Sequence, residues 1–445
     1  MWLVEAAGLR ILCDPLLCTT HHAGVFEVVP RRRVDVAALR PDFIVVSHAH
    51  PDHFDVPSLD RLAQLDPESV VVTPDRLVAW AARQLGFATV HEVASGQRIE
   101  LDGVQLVTTP SLGEDEWGVL VACDDGVAWN LVDSVMRDAS HAKQVRDEAL
   151  ASVGRVHLDV ALVRWQPMLE IAASLGHATA FPYEAYADLL AQAAAMHATA
   201  LVPSACGGAH TAPYGWTNRW VYPVSVERFL RDVTAVAPDS RAYPPTVGAR
   251  VSVRGGEVTF DPHGASALVS ITEAIEPRVY RPFQMPPIVD ANEAGHDEAT
   301  MRTEVDRFVH AELAPALAEA WPDFGVTRPL TFVVEVTFPS RVDAYTLVVD
   351  GPGAAKVTRG FDDDWDALNL VAGSLLWEVI AGRRHWGDVI LTGSLRALTR
   401  AYEPGPTAIT RAHVGATFLY YARPYDDSVQ RAVRWEVAQA LQQRA

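Results

Sequence analysis

Along the first 280 positions, apolar and polar residues fall into short blocks whose period switches between two and 3.6. Trp2 to Asp14 reads as two strands joined at Gly8, and Asp42-Phe-Ile-Val-Val-Ser47 is an almost continuous apolar run. Such a run fits a strand buried on both faces of a sheet. Val56–Leu65 opens with helical spacing, after which Ser69–Thr73 (strand), Arg76–Leu85 (helix) and Val90–Val93 (strand) alternate. The pair Asp102-Gly103 predicts a tight hairpin. Asp124-Asp125-Gly126 predicts another, joining Trp117–Cys123 to Val127–Val132, with Asp133 ending the second strand. Val160–Val163 is a strand, Tyr183–His197 an Ala-rich helix, and Thr199–Pro203 a strand leading into Ser204–His210. Hairpins combined with β–α alternation predict a four-layer αββα sandwich.

A different pattern follows. Pro282 to about Thr300 is Pro-rich and then acidic with little periodicity, which predicts a linker over 281–299. Met301–Trp321 has helical spacing, and Thr331–Phe338 and Ala344–Val349 read as antiparallel strands. Asp364–Ile380 reads as one amphipathic helix stopped at Gly382. The expected organisation is a catalytic domain over 1–280 and a smaller α+β domain over 300–445. A chain of 445 residues is longer than one hydrophobic core usually organises, which agrees with that division.

Composition narrows the partners. Apolar residues make up 49 % and charged residues 21 %, ordinary for a globular protein, and the formal charge of −19 disfavours nucleic acid and anionic membrane surfaces as partners. Four cysteines without a CxxC pair predict neither a disulfide framework nor a structural zinc site. The N-terminus lacks a basic region followed by an apolar stretch, and no apolar run is long enough to span a bilayer. A cytoplasmic location is the expectation.

The chemistry concentrates in Ser47-His48-Ala49-His50-Pro51-Asp52-His53, between a predicted strand and a predicted helix. Two histidines at i and i+2 of an extended segment can converge on one cation, and Asp52 and His53, one turn later, can reach a second. Imidazole and carboxylate donors suit zinc, iron or manganese. Held together without a metal, four such groups in six residues compete for hydrogen bonds and repel when protonated.

The N-terminal hairpin ending in Asp14-Pro15, the HxHxDH loop and the later strand-end Asp133 together resemble the metallo-β-lactamase superfamily. The resemblance implies the αββα sandwich, one or two bound metals, and Asp133 as a ligand shared between them. It also implies a third histidine for the first metal from the loop before Trp117, where Thr109-Pro-Ser-Leu-Gly-Glu-Asp-Glu-Trp117 has none. Leu112 takes the expected slot, and Glu114, Asp115 or Glu116 could substitute. The last family histidine is matched best by His210, reached through Gly207-Gly208, with Cys206 as a weaker candidate. The segments Asp14-Pro-Leu-Leu17, Ser47–Leu59, Asn130-Leu-Val-Asp133 and Ala180-Phe-Pro182 are similar to the non-Rieske part of CMP-N-acetylneuraminate hydroxylase, an iron-dependent monooxygenase family. The C-terminal domain faintly resembles sterol-carrier domains.

The expected metal ligands are therefore His48, His50, Asp52, His53, Asp133 and His210, with Asp52 and His210 also in catalytic roles. His21, His22, Glu114 and His177 are candidates for substrate contact. An iron-dependent oxygenase or oxidase acting on a small molecule is favoured; because no Rieske ligands are present, its reductant is expected from a separate electron-donor protein or from the substrate. The alternative is a zinc- or manganese-dependent hydrolase of an ester, lactone, amide or phosphodiester, with metal-activated water as nucleophile.

Overall fold

The computed structural model describes residues 1–113, 116–169, 171–172, 174–175, 177, 181–205, 207–273, 286–404 and 409–444. Two sheets lie face to face in the first part of the chain. One runs in the spatial order Trp2–Ala6, Leu9–Cys13, Phe43–Val45, Val70–Thr73, Val90–Glu92. Its first pair is an antiparallel hairpin turned at Gly8, whose φ of +85° suits a residue without a Cβ, and its remaining pairs are parallel. The other runs Arg241–Ala242, Ala200–Pro203, Val160–Val163, Gly126–Asn130, Trp117–Cys123, Val104–Pro110, Arg98–Leu101. It is parallel on one side of Gly126–Asn130 and antiparallel on the other.

The inner faces meet through Ile11, Cys13, Val45, Val72, Leu106, Trp117, Val119 and Val121. Helices Val56–Leu65 and Arg76–Leu85 cover the outside of the first sheet, while Ala139–Ser152, Tyr183–Ala195 and Val226–Val236 cover the second. This is the αββα sandwich that the sequence pattern predicts. The strands adjoining the metal motif are apolar throughout because both of their faces are covered.

The C-terminal part forms a second core around a five-stranded sheet, ordered Ala354–Arg359, Val342–Gly351, Leu330–Thr337, Ala367–Ala372, Leu395–Thr399. Helices Glu298–Phe308 and Ala314–Ala320, joined by a π-helical turn, pack on it. The segment expected as one helix over Asp364–Ile380 is instead a strand, Ala367–Ala372, followed by a helix, Gly373–Ile380. The strand pairs on both edges and is largely buried, so its apolar run satisfies helical spacing by accident. The final helix, Tyr425–Arg444, returns to the first part: Val433 and Val437 pack among the apolar residues of Val56–Leu65 and Arg76–Leu85. No helix among the described residues is long and apolar enough to cross a membrane.

Candidate metal centre

The motif begins where the Phe43–Val45 strand ends. The backbone N–H groups of His53 and Phe54 donate to the His50 carbonyl at 2.9 and 2.7 Å, closing a turn that folds Asp52 and His53 back over His48 and His50. The carboxylate of Asp55 then caps the next helix by accepting from Ser58 N–H, which stops the turn from winding into the helix.

Two groups of donors result. Ligand atoms of His48, His50 and Asp133 lie within 4.8 Å of one another, and so do those of Asp52, His53 and Asp133. His48 Nε2 and His50 Nδ1 are 2.8 Å apart, and His53 Nε2 is 2.9 Å from Asp133 Oδ2 and 3.3 Å from Asp52 Oδ2. Atoms that each sit about 2.0–2.2 Å from one ion must lie within about 4.4 Å of each other, so these spacings fit shared cations. Asp133 belongs to both groups.

A second layer fixes the rings. Asp14, at φ +46°, accepts from Ser47 N–H at 2.8 Å, from Ser47 Oγ at 3.1 Å, and lies 3.0 Å from His53 Nδ1. With Nδ1–H of His53 turned to that carboxylate, Nε2 faces Asp52 and Asp133. Ser47 Oγ is 2.9 Å from His48 Nδ1, so donating to Asp14 leaves it free to accept from His48 and to turn Nε2 of that ring inward. Carboxylate-held imidazoles of this kind keep the ligating tautomer.

The electrostatics have one focus. Burial works against a charge on His53, but Asp52, Asp133 and Asp14 outweigh it and raise its pKa well above the ordinary value. Burial opposes ionisation of Asp52 and Asp133, and His53 reverses this and lowers both. Burial, together with His53 and His50, pushes His48 down to about 3. Without a metal, the proton on His53 keeps the carboxylates ionised while His48 stays neutral; a cation at the site would take the place of that proton, and its binding would release it.

Two further histidines stand at the edge. His22 Nε2 lies 3.9 Å from Asp52 Oδ1, and His22 Nδ1 lies 2.7 Å from His21 Nδ1; burial lowers both, His22 to about 3. His22, Ala23 and Gly24 all have positive φ, at 51°, 49° and 85°. For the two residues with a Cβ this costs roughly 1 kcal/mol each.

His210 enters neither donor group among the described residues. Its Nε2 lies 2.8 Å from the carbonyl oxygen of Leu391, and its ring lies tilted against Phe26 with centroids 4.2 Å apart. The Gly208–His210 strand pairs with Phe26–Val28, which carries the ring toward the C-terminal part and not toward Asp52. His177 is exposed, with its backbone N–H donating to the Ala172 carbonyl. Leu112 is 52 % exposed, and its N–H donates to the Val135 carbonyl. Glu114, Asp115 and Cys206 lie outside the described residues. Glu116, from the same acidic trio, has a pKa raised first by burial, and Ser111 Oγ lies 3.5 Å from its carboxylate. Asp14, which offers no ligand, carries a local sequence signal as the end of the N-terminal hairpin at Asp14-Pro15.

Fold and donor cluster together define a metallo-β-lactamase-fold domain of a metal-dependent enzyme, and residues 9–202 match the family described as the beta-lactamase superfamily domain. A Rieske 2Fe-2S iron–sulfur protein of Mycobacterium tuberculosis is 28 % identical over 186 residues, 38 % of this chain and 34 % of that protein. The chain thus spans about a third of the length of that relative. A UPF0173 metal-dependent hydrolase of Pyrobaculum calidifontis is 28 % identical over 163 residues, 35 % of this chain and 68 % of that protein. Among solved structures, the diiron β-hydroxylase CmlA of Streptomyces venezuelae matches with 15 % identity and a TM-score of 0.35, covering 54 % of this chain and 50 % of that one.

Proposed function

We propose that this protein is an iron-dependent oxidative enzyme acting on a small-molecule substrate, with His48, His50, Asp52, His53 and Asp133 holding one or two ions. The observation that carries the reading is the first donor group, His48, His50 and Asp133, two imidazoles and one carboxylate, with Leu112 turned to solvent where the family's third histidine is expected. Two imidazoles and one carboxylate that leave positions open suit iron. A redox-active ion held there supplies one-electron chemistry toward O₂. The protein's own groups do the rest: Asp14 and Ser47 hold the rings of His53 and His48, and Asp52 offers a carboxylate that is ionised and 40 % exposed for moving a proton. His21 and His22 border the same opening and are proposed substrate contacts.

The segments similar to CMP-N-acetylneuraminate hydroxylase support an oxidative reaction. The relative named for a Rieske 2Fe-2S group supports an electron donor of that kind. The hydrolase reading is favoured by the histidine-rich donor set and by the relative named a metal-dependent hydrolase. Metal analysis of protein purified without added metal, followed by turnover with and without O₂, separates the two. Iron content and O₂-dependent oxidation are expected. Equal turnover of zinc-loaded and iron-loaded protein without O₂ would assign the hydrolase.

A further inference from the structure

Three segments of the sandwich part, of which the turn at His22 borders the metal centre, are tied to one short stretch of the C-terminal part, residues 384–397. Arg384 Nη2 donates to the carbonyl of Ala23 at 3.3 Å, within the left-handed turn His22-Ala23-Gly24. The Leu391 carbonyl lies 2.8 Å from His210 Nε2. Ser174 Oγ donates to the Ile390 carbonyl at 2.9 Å, and Ala397 N–H donates to the Ser174 carbonyl at 2.8 Å.

Arg384 differs from the other two ties because it is itself held. Its Nε lies 2.5 Å from Glu378 Oε2, and His296 Nε2 is 2.9 Å from the other oxygen of that carboxylate. The guanidinium is only 9 % exposed. A buried, charge-paired guanidinium is a rigid donor. It meets a turn whose backbone conformation residues with a Cβ seldom keep unaided. That turn carries His22, whose Nε2 stands 3.9 Å from Asp52 Oδ1 and whose ring is 6.4 Å from that of His385, the residue after Arg384. Among the described residues, Thr211 Oγ1 also donates to this turn, at the Gly24 carbonyl two residues beyond His22.

We infer that Arg384 is a positioning residue of the metal centre: by holding the Ala23 carbonyl it keeps His22 beside Asp52, so that the Asp52 side of the centre is complete only with the C-terminal part docked. The inference rests on the reading of Asp52, His53 and Asp133 as metal ligands and is independent of whether the reaction is oxidative. Asp52 and His53 need a defined outer neighbour for tight binding, and removal of such neighbours commonly weakens metal binding about 10- to 100-fold.

The test is a cobalt(II) titration of metal-free full-length protein, followed by visible absorption and by metal analysis after gel filtration, beside thermal unfolding. Two equivalents of unequal affinity are expected in the parent protein. Arg384→Met should weaken the second, Asp52-side equivalent by about tenfold or more and leave the first unchanged. Arg384→Lys, which keeps a donor within reach of Ala23, should restore part of the loss. His22→Ala should reproduce the loss, and the double variant should be no weaker than His22→Ala alone. If Arg384→Met fails to fold, Glu378→Gln, which only loosens the guanidinium, should weaken the same equivalent in the same sense. A lowered melting temperature with both cobalt affinities unchanged would show a merely structural role and overturn the inference, as would unaltered binding in His22→Ala. Failure of the parent protein to bind cobalt at all would instead remove the metal-centre reading beneath it.

Discussion

At the scale of single residues, Asp14 shows how much of the centre is set by groups that offer no ligand themselves. Its carboxylate takes three bonds, from Ser47 N–H, Ser47 Oγ and the His53 ring, and burial has not neutralised it because His53 and the Ser47 amide lower its pKa. Asp14→Asn keeps the shape and removes the charge. The amide can present N–H where His53 Nδ1 needs an acceptor, which favours the wrong tautomer. Metal affinity should fall about 10- to 100-fold with little change in secondary structure, as read by metal competition and circular dichroism. Affinity within twofold of the parent would show that His53 orients itself without this carboxylate. The motif was legible from sequence because four donors lie within six residues and their geometry is local. Asp133 was legible because a strand end after a hairpin places it. His210 was not, because the group that turns its ring, the Leu391 carbonyl, lies 181 residues farther along the chain. Glu116 was left level with its two acidic neighbours, since only burial distinguishes a cleft carboxylate from a solvated one.

At the scale of elements, the helix Tyr425–Arg444 carries a carboxylate whose burial makes stability fall as pH rises. Burial, then Asp388 and Asp55, push Glu436 up from 4.5 to about 8, while Asp388 is brought down to about 2 by His385 against its own burial. The signs are opposite. In the unfolded chain Glu436 loses its proton near pH 4.5, whereas the folded protein retains it to about 8, so its contribution to stability declines as pH rises between these values. Asp388 contributes stability above its ordinary value of 3.8, and this is lost as pH falls toward 2. Glu436→Gln should flatten the decline between pH 5 and 8 in a melting-temperature profile and make the variant the more stable protein at pH 8. An unchanged slope would place the titration elsewhere. The same scale explains the misread Asp364–Ile380 segment. Ala367–Ala372 is covered on both faces of its sheet, and a doubly buried strand and a buried helix present the same unbroken apolar run.

At the scale of the whole molecule, the two cores are not independent. The last helix covers Val56–Leu65 and Arg76–Leu85 with Val433 and Val437, which are 7 % and 2 % exposed, and Arg444 bonds the Leu85 carbonyl and pairs with Asp60. Burying each valine stabilises by about 1.5–3 kcal/mol. A chain ending at Pro424 should therefore begin to unfold on the order of 10 °C lower than the full chain in a thermal scan, and expose apolar surface to a fluorescent dye. Coincident unfolding of the two forms would mean that the helix rests on the sandwich without supporting it. A sequence reading by periodicity finds each core but not this bond between them, because the apolar stripe of the helix says that it is covered and not by what.

That crossing has a consequence for biosynthesis. The helix just after the metal motif leaves the ribosome long before Tyr425–Arg444, the helix that seals its apolar flank. Until that helix emerges the flank stays uncovered, in a chain long enough to form collapsed, aggregation-prone intermediates. Synthesis of Tyr425–Arg444 sets when this flank is sealed.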